Sequence, residues 1–171
     1  MKNNNQPSGY GNAKIKYKDE LLPWVKVICY RKDKYVVVDR YSGDQKFIGQ
    51  SIYFNNKKPI FGFNYYGRVV EKSFLAKTDK LFDFLKKALR AGVGNKFRGK
   101  DGFSESGFKY YNKYKENNGF IIGNEVIKYN QKIIYRLMYH GGSMEDRRNY
   151  KQWSKKLLSS TKLYKDLNNL W

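Results

Sequence analysis

A chain of 171 residues with 35 Lys and Arg against 15 Asp and Glu carries a formal net charge of +20, and the self-repulsion of such a body is relieved by a polyanionic partner. Its 16 Tyr and 11 Phe exclude a disordered basic tail. A single cysteine excludes a disulfide framework, and no apolar run approaches the ~18 residues of a membrane span. The polar opening Met1–Asn5 lacks the apolar stretch of a secretory signal, so the expectation is a soluble, cytoplasmic basic protein.

Residues 1–8, rich in Asn, read as a flexible arm, and Gly9–Lys14 as a glycine-bearing loop. Trp24–Tyr30 and Tyr35–Arg40 are short β-branched runs separated by charged residues at hairpin distance. Phe47–Phe54 and Ile60–Tyr66 follow as strands, the second placing Phe61, Phe63 and Tyr65 on one face. From Thr78 or Asp79, as cap, a helix is predicted on the spacing of Leu81, Leu85, Ala88 and Leu89, with Gly92 as its left-handed stop. Residues 92–106 read as the longest loop. Phe108–Lys115, Phe120–Tyr129 and Lys132–His140 are strands joined by turns at Asn118-Gly119 and Asn130-Gln131, and Gly141-Gly142 ends the β region. Trp153, Leu157, Tyr164, Leu167 and Trp171 recur at helical period and predict a C-terminal helix packed on the body. The expected architecture is α+β: a twisted, mainly antiparallel sheet of six or seven strands, one packed helix and a helical tail. Its parts are an arm over 1–8, one α+β domain over 9–142 and a helical extension over 143–171.

Several blocks occur in a recognisable order. They are Gly9–Ala13, Tyr35–Gly43, Lys46–Gly49, Lys58–Val69, Phe97–Gly99, Gly123–Glu125 and Tyr139–Gly142. Together they resemble a bacterial family of uncharacterised small domains, some of which sit behind an Xre-type helix-turn-helix regulator. The resemblance implies one unit spanning the β region and its helix, and it brings no catalytic residues with it. This chain departs from the pattern at Gln50 and Ser51, where acidic residues are usual, and in its basic character and added tail.

No Walker or dinucleotide fingerprint occurs. His140 and Cys29, each the sole residue of its type, leave zinc without a second soft ligand. No metal or cofactor is therefore expected. His140 reads either as a strand-end residue with a hydrogen-bonding neighbour or as a proton-transfer group beside Arg68 and Tyr139, as in metal-free RNA cleavage. Asn64, Tyr65, Arg68, Arg98, Tyr139 and His140 lie near strand ends or adjoining loops and form a candidate anion pocket; equally, Tyr65 is a core residue and Arg68 pairs with Glu71. Asp39 and Glu125, within β runs, read as partners of Arg40 or another cation. In Lys109–Lys115, alternation puts Lys109, Tyr111, Lys113 and Lys115 on one face, suited to phosphates and stacked bases, or else simply solvated.

The leading expectation is a non-enzymatic binding protein that engages nucleic acid mainly through phosphates. The alternatives are a sensor or sequestering domain for a nucleotide-like anion, and a metal-independent ribonuclease using His140. AT-rich coding also enriches Asn, Lys, Ile and Tyr, so the distribution of charge decides between a binding face and compositional drift.

Overall fold

Four tight turns set the registers of the sheet. Asn56-Lys57, Ser106-Gly107, Asn118-Gly119 and Asn130-Gln131 each hold two consecutive residues at positive φ (47° and 67°, 50° and 83°, 48° and 79°, 44° and 69°). That is the backbone of a type I′ hairpin, whose twist matches the strands it joins. The computed structural model describes residues 15–19, 22–92 and 98–144. The strands are β1 (Ile15–Lys18), β2 (Val25–Lys32), β3 (Tyr35–Gly43), β4 (Lys46–Asn55), β5 (Lys58–Val69), β6 (Ser104–Glu105), β7 (Phe108–Asn117), β8 (Phe120–Tyr129) and β9 (Lys132–Ser143). They form one antiparallel sheet in the order β1-β2-β3-β4-β5-β9-β8-β7-β6.

Among the described residues, nine strands and one 14-residue helix make a mainly β fold, which corrects the expected α+β sheet of six or seven strands. The two unforeseen strands, β1 and β6, are short edge strands of four and two residues, held by backbone pairing rather than by a long apolar alternation. β9 also runs past Gly141 and Gly142, which pair with Phe63 and Gly62 of β5 instead of ending the sheet. A Cβ on Gly141 would stand 2.0 Å from the Gly62 carbonyl oxygen, so the close approach of β5 and β9 needs glycine there. The proposed arm and the helical extension beyond residue 144 lie outside the described residues.

Between β5 and β6 the chain makes a 3₁₀ turn (Lys72–Lys77) and then α1 (Thr78–Ala91). Leu81, Phe84, Leu85, Ala88 and Leu89 are buried at three- and four-residue spacing and join a core with Phe61, Phe63, Tyr65, Tyr110, Ile127 and Leu137. Both expected end signals differ. The N-cap is Lys77, without a side-chain cap bond, because the 3₁₀ turn runs directly into the helix; Glu71 caps that turn instead, accepting from the Ser73 N–H at 3.3 Å. Gly92 has φ −85°, not a left-handed value; it is small because the returning chain passes it, and a Cβ there would meet the backbone of Gly99 and Lys100 at 2.6 Å.

Candidate functional site

One side of the sheet carries α1; strand alternation sends its other side to solvent. On the α1 side, an inward-facing carboxylate stands in each half of the sheet. Glu125 of β8 is fully buried, and Arg98 grips it with Nε to Oε1 at 2.7 Å and Nη2 to Oε2 at 3.0 Å. This two-point pairing satisfies both ions away from water, and it holds the Arg98 guanidinium firmly charged. Arg98 takes φ 72° to reach it, and its guanidinium lies 5.6 Å and 5.3 Å from the ring centres of Phe63 and Tyr65. Tyr110 donates to the same Glu125 oxygen and accepts from the Gly99 N–H at 3.1 Å. Tyr139 donates to Asn112 at 2.9 Å, and Asn112 donates to the Gly99 carbonyl at 3.3 Å. Burial pushes the Tyr110 and Tyr139 hydroxyls well above the ordinary phenol range, so they remain donors.

In the other half, Asp39 of β3 is 2% exposed and accepts from Ser51 and Tyr65, both at 2.8 Å and both on Oδ1. Burial raises its pKa; those two bonds and the Arg98 charge oppose the shift. Glycines let both phenols reach so far. Tyr65 (β5) lies across Gly49 (β4) to meet Asp39 on β3, and Tyr139 (β9) lies across Gly123 (β8) to meet Asn112 on β7. A Cβ at either glycine would stand within 2.5 Å of its ring. Asp39, Tyr65 and Arg98 line a cavity of about 170 Å³, walled by Phe47, Phe82 and Leu85, with Lys26, Tyr41 and Asp44 also around it.

The solvent side is organised differently. Register places Gln50, Asn64, His140, Ile122 and Lys115 in one cross-strand row, Ile48, Tyr66, Met138, Asn124 and Lys113 in the next, and Lys46, Arg68, Arg136, Val126 and Tyr111 in a third. Lys109 and Lys128 pair just beyond, and both ammonium groups lie over the Tyr111 ring, at 5.3 Å and 5.6 Å. Tyr111, Lys113, Asn124, Val126, Lys128 and Ile133 line a shallow groove of about 330 Å³. Among the described residues these rows hold no carboxylate, and Lys46, Arg68, Lys109, Lys113, Lys115, Lys128 and Arg136 make no ion pair. Cations are thus grouped in these rows, while α1 and its flanking turn expose others, Lys72, Lys77, Lys80, Lys87 and Arg90.

Lys109, Tyr111, Lys113 and Lys115 therefore share the outward face of β7, with Tyr110 buried beneath. The six residues considered for an anion pocket are not brought together. Tyr65, Arg98 and Tyr139 belong to the interior network, whereas Asn64, Arg68 and His140 are exposed on the other face. Even on that face, Arg68 stands opposite Arg136 and His140 opposite Asn64, four residues along the strand, or about 13 Å. Arg68 does not pair with Glu71, whose partner is Lys132 at 2.6 Å. Asp39 does not pair with Arg40, which binds Asp19. Sequence reasoning treated Asp39 and Glu125 as ordinary ion-pair members. The available signal was that each carboxylate holds an inward register between apolar residues. It also missed Lys46, Lys128, Arg136 and Tyr66, which join the outward face only through strand order.

The family model described as "Domain of unknown function (DUF5680)" matches residues 39–144, from Asp39 in β3 to the last described residue, Met144. No curated protein and no solved structure matches the chain. The chain belongs to the DUF5680 family.

Proposed function

For this DUF5680 member we propose a non-enzymatic role in binding nucleic acid on the open face of the sheet, with single strands preferred. The observation that carries this reading is the grouping of seven cations without ion pairs in cross-strand rows from β4 to β7 that hold no described carboxylate. Such a face draws in a phosphate chain through counterion release. Exposed aromatic rings supply the rest: Tyr66 and Phe120 are about half exposed and Tyr111 lies between two ammonium groups. Bases of a single strand can stack on such rings, while a duplex keeps its bases hidden. Strand spacing of about 4.8 Å spreads the cations over roughly 20 Å from β4 to β7, a length suited to a short run of nucleotides.

Contacts with about six phosphates give a log–log salt slope near −4 for a single strand. The test is fluorescence anisotropy with a 20-nucleotide single-stranded DNA and its RNA counterpart, over a range of salt. Charge reversal at Lys109, Lys113 and Lys115 is expected to weaken binding by at least about tenfold and to leave melting nearly unchanged. Absence of binding to both strands at ~50 mM salt, where screening is least, overturns the proposal.

A further inference from the structure

On the opposite side of the sheet we infer a second, independent site: the cavity under α1 binds a small planar molecule that presents a cationic or N–H donor group to the Asp39 carboxylate. The cavity has about 170 Å³, and one of roughly 150 Å³ accepts a benzene ring. Phe47, Phe82 and Leu85 give it apolar walls suited to a ring. Phe47 is held edge-on to Tyr65 and Phe82, with ring centres 6.1 and 6.0 Å away, so these walls are braced against each other.

The charges around the cavity leave one carboxylate without a bonded cation of its own, though the Arg98 charge acts on it from nearby. Arg98 is committed at two points to Glu125, at 2.7 and 3.0 Å. Lys26 is committed to Asp44 at 2.7 Å. Asp39 receives two neutral hydroxyls, both on Oδ1, and no described residue donates to Oδ2. A buried carboxylate without a cation is costly, and perturbed, desolvated acids that line a cavity mark functional sites. An amidine, a protonated amine or the N–H edge of a heterocycle supplies the missing charge or donor to Oδ2, while its ring lies against Phe47, Phe82 and Leu85.

The sign of the charge makes the inference sharp. A protein of net charge +20 attracts anions everywhere on its surface, so a preference for a cationic ring can only come from a specific site. The test titrates the full chain with benzamidine, benzamide and benzoate, by calorimetry and by ligand-observed NMR. Benzamidine is expected to bind saturably at one site, benzamide more weakly, and benzoate without saturation. Asp39→Asn is expected to lower benzamidine affinity by about tenfold or more, the size of a charge-assisted hydrogen bond. If Asp39→Asn does not fold, Phe82→Trp, which fills the cavity and leaves the carboxylate in place, is expected to abolish binding. Lack of saturable benzamidine binding overturns the inference. So does tighter binding of benzoate, or affinity unchanged in whichever of the two variants folds. Oligonucleotide binding on the other face is unaffected by either result, so the two proposals fail separately.

Discussion

Along β8, Asn124 faces solvent beside Lys113 and Met138, and the next residue, Glu125, is sealed in the core between Arg98 and Tyr110. The same alternation in β9 sets Arg136 outward and Leu137 inward. Inside, each charge is matched or held by hydroxyls, and distances are fixed by glycines that let phenols lie flat over the neighbouring strand. Outside, the seven cations of those rows stand without ion pairs among exposed apolar residues such as Met138 and Ile48, 65% and 61% exposed. The inward polar groups specify the fold, and the outward ones are available to something else. The face, more than the residue type, decides what a charge does here.

The largest effects should separate the two faces. Glu125→Ala leaves the Arg98 guanidinium buried and unpaired, and about 3–5 kcal/mol of stability should be lost. Arg136→Ala, on the next residue pair but facing out, should stay within about 0.5 kcal/mol. Urea melts of both variants check this, and equal losses would break the distinction. Apolar residues give the next contrast. Leu85→Ala, cut from a side chain 2% exposed, should cost about 2–5 kcal/mol, whereas Met138→Ala should change melting by less than about 0.5 kcal/mol. A large loss at Met138 would mean that the outward face is covered in solution.

Much of this organisation was legible in the sequence where it depended on local chemistry. Asn-Gly and Asn-Gln turns, β-branched runs and the leucine spacing of α1 set the hairpins and the helix stripe, because each is decided by a few neighbouring residues. What escaped depends on strand order. Arg98 and Glu125 are 27 residues apart, and nothing local pairs them. Arg68 and His140 both lie near recognisable turns, but only the β5–β9 register reveals that they are offset along the face. The Lys109–Lys115 alternation was readable within one strand; its continuation through Lys128, Arg136, Arg68 and Lys46 was not. The edge strands β1 and β6, four and two residues long, were too short to carry a strand signal, and so the sheet grew from six or seven strands to nine.

A smaller effect sharpens the comparison within the core itself. Burial raises the pKa of Asp39 in the folded protein, so the folded state holds this proton more firmly than the unfolded chain does. Stability from Asp39 is therefore fully present below its unfolded pKa, about 3.9, and is lost as pH rises through the higher folded value. Asp39→Asn keeps an Oδ1 acceptor for Ser51 and Tyr65 and removes the charge. Its melting temperature at pH 7 should equal or exceed that of the parent, with the advantage vanishing near pH 3.5. A variant less stable at pH 7 would show that the carboxylate stabilises the fold, in the manner of Glu125.

The division between the faces is tested most directly by mapping amide chemical shifts during titration with a single-stranded oligonucleotide at low salt. The account predicts shifts centred on Tyr111, Lys113, Asn124, Arg136 and Met138, with the amides of Leu81, Phe84 and Leu85 in α1 unmoved. Shifts concentrated on α1 and the cavity, with the outward rows silent, would contradict it.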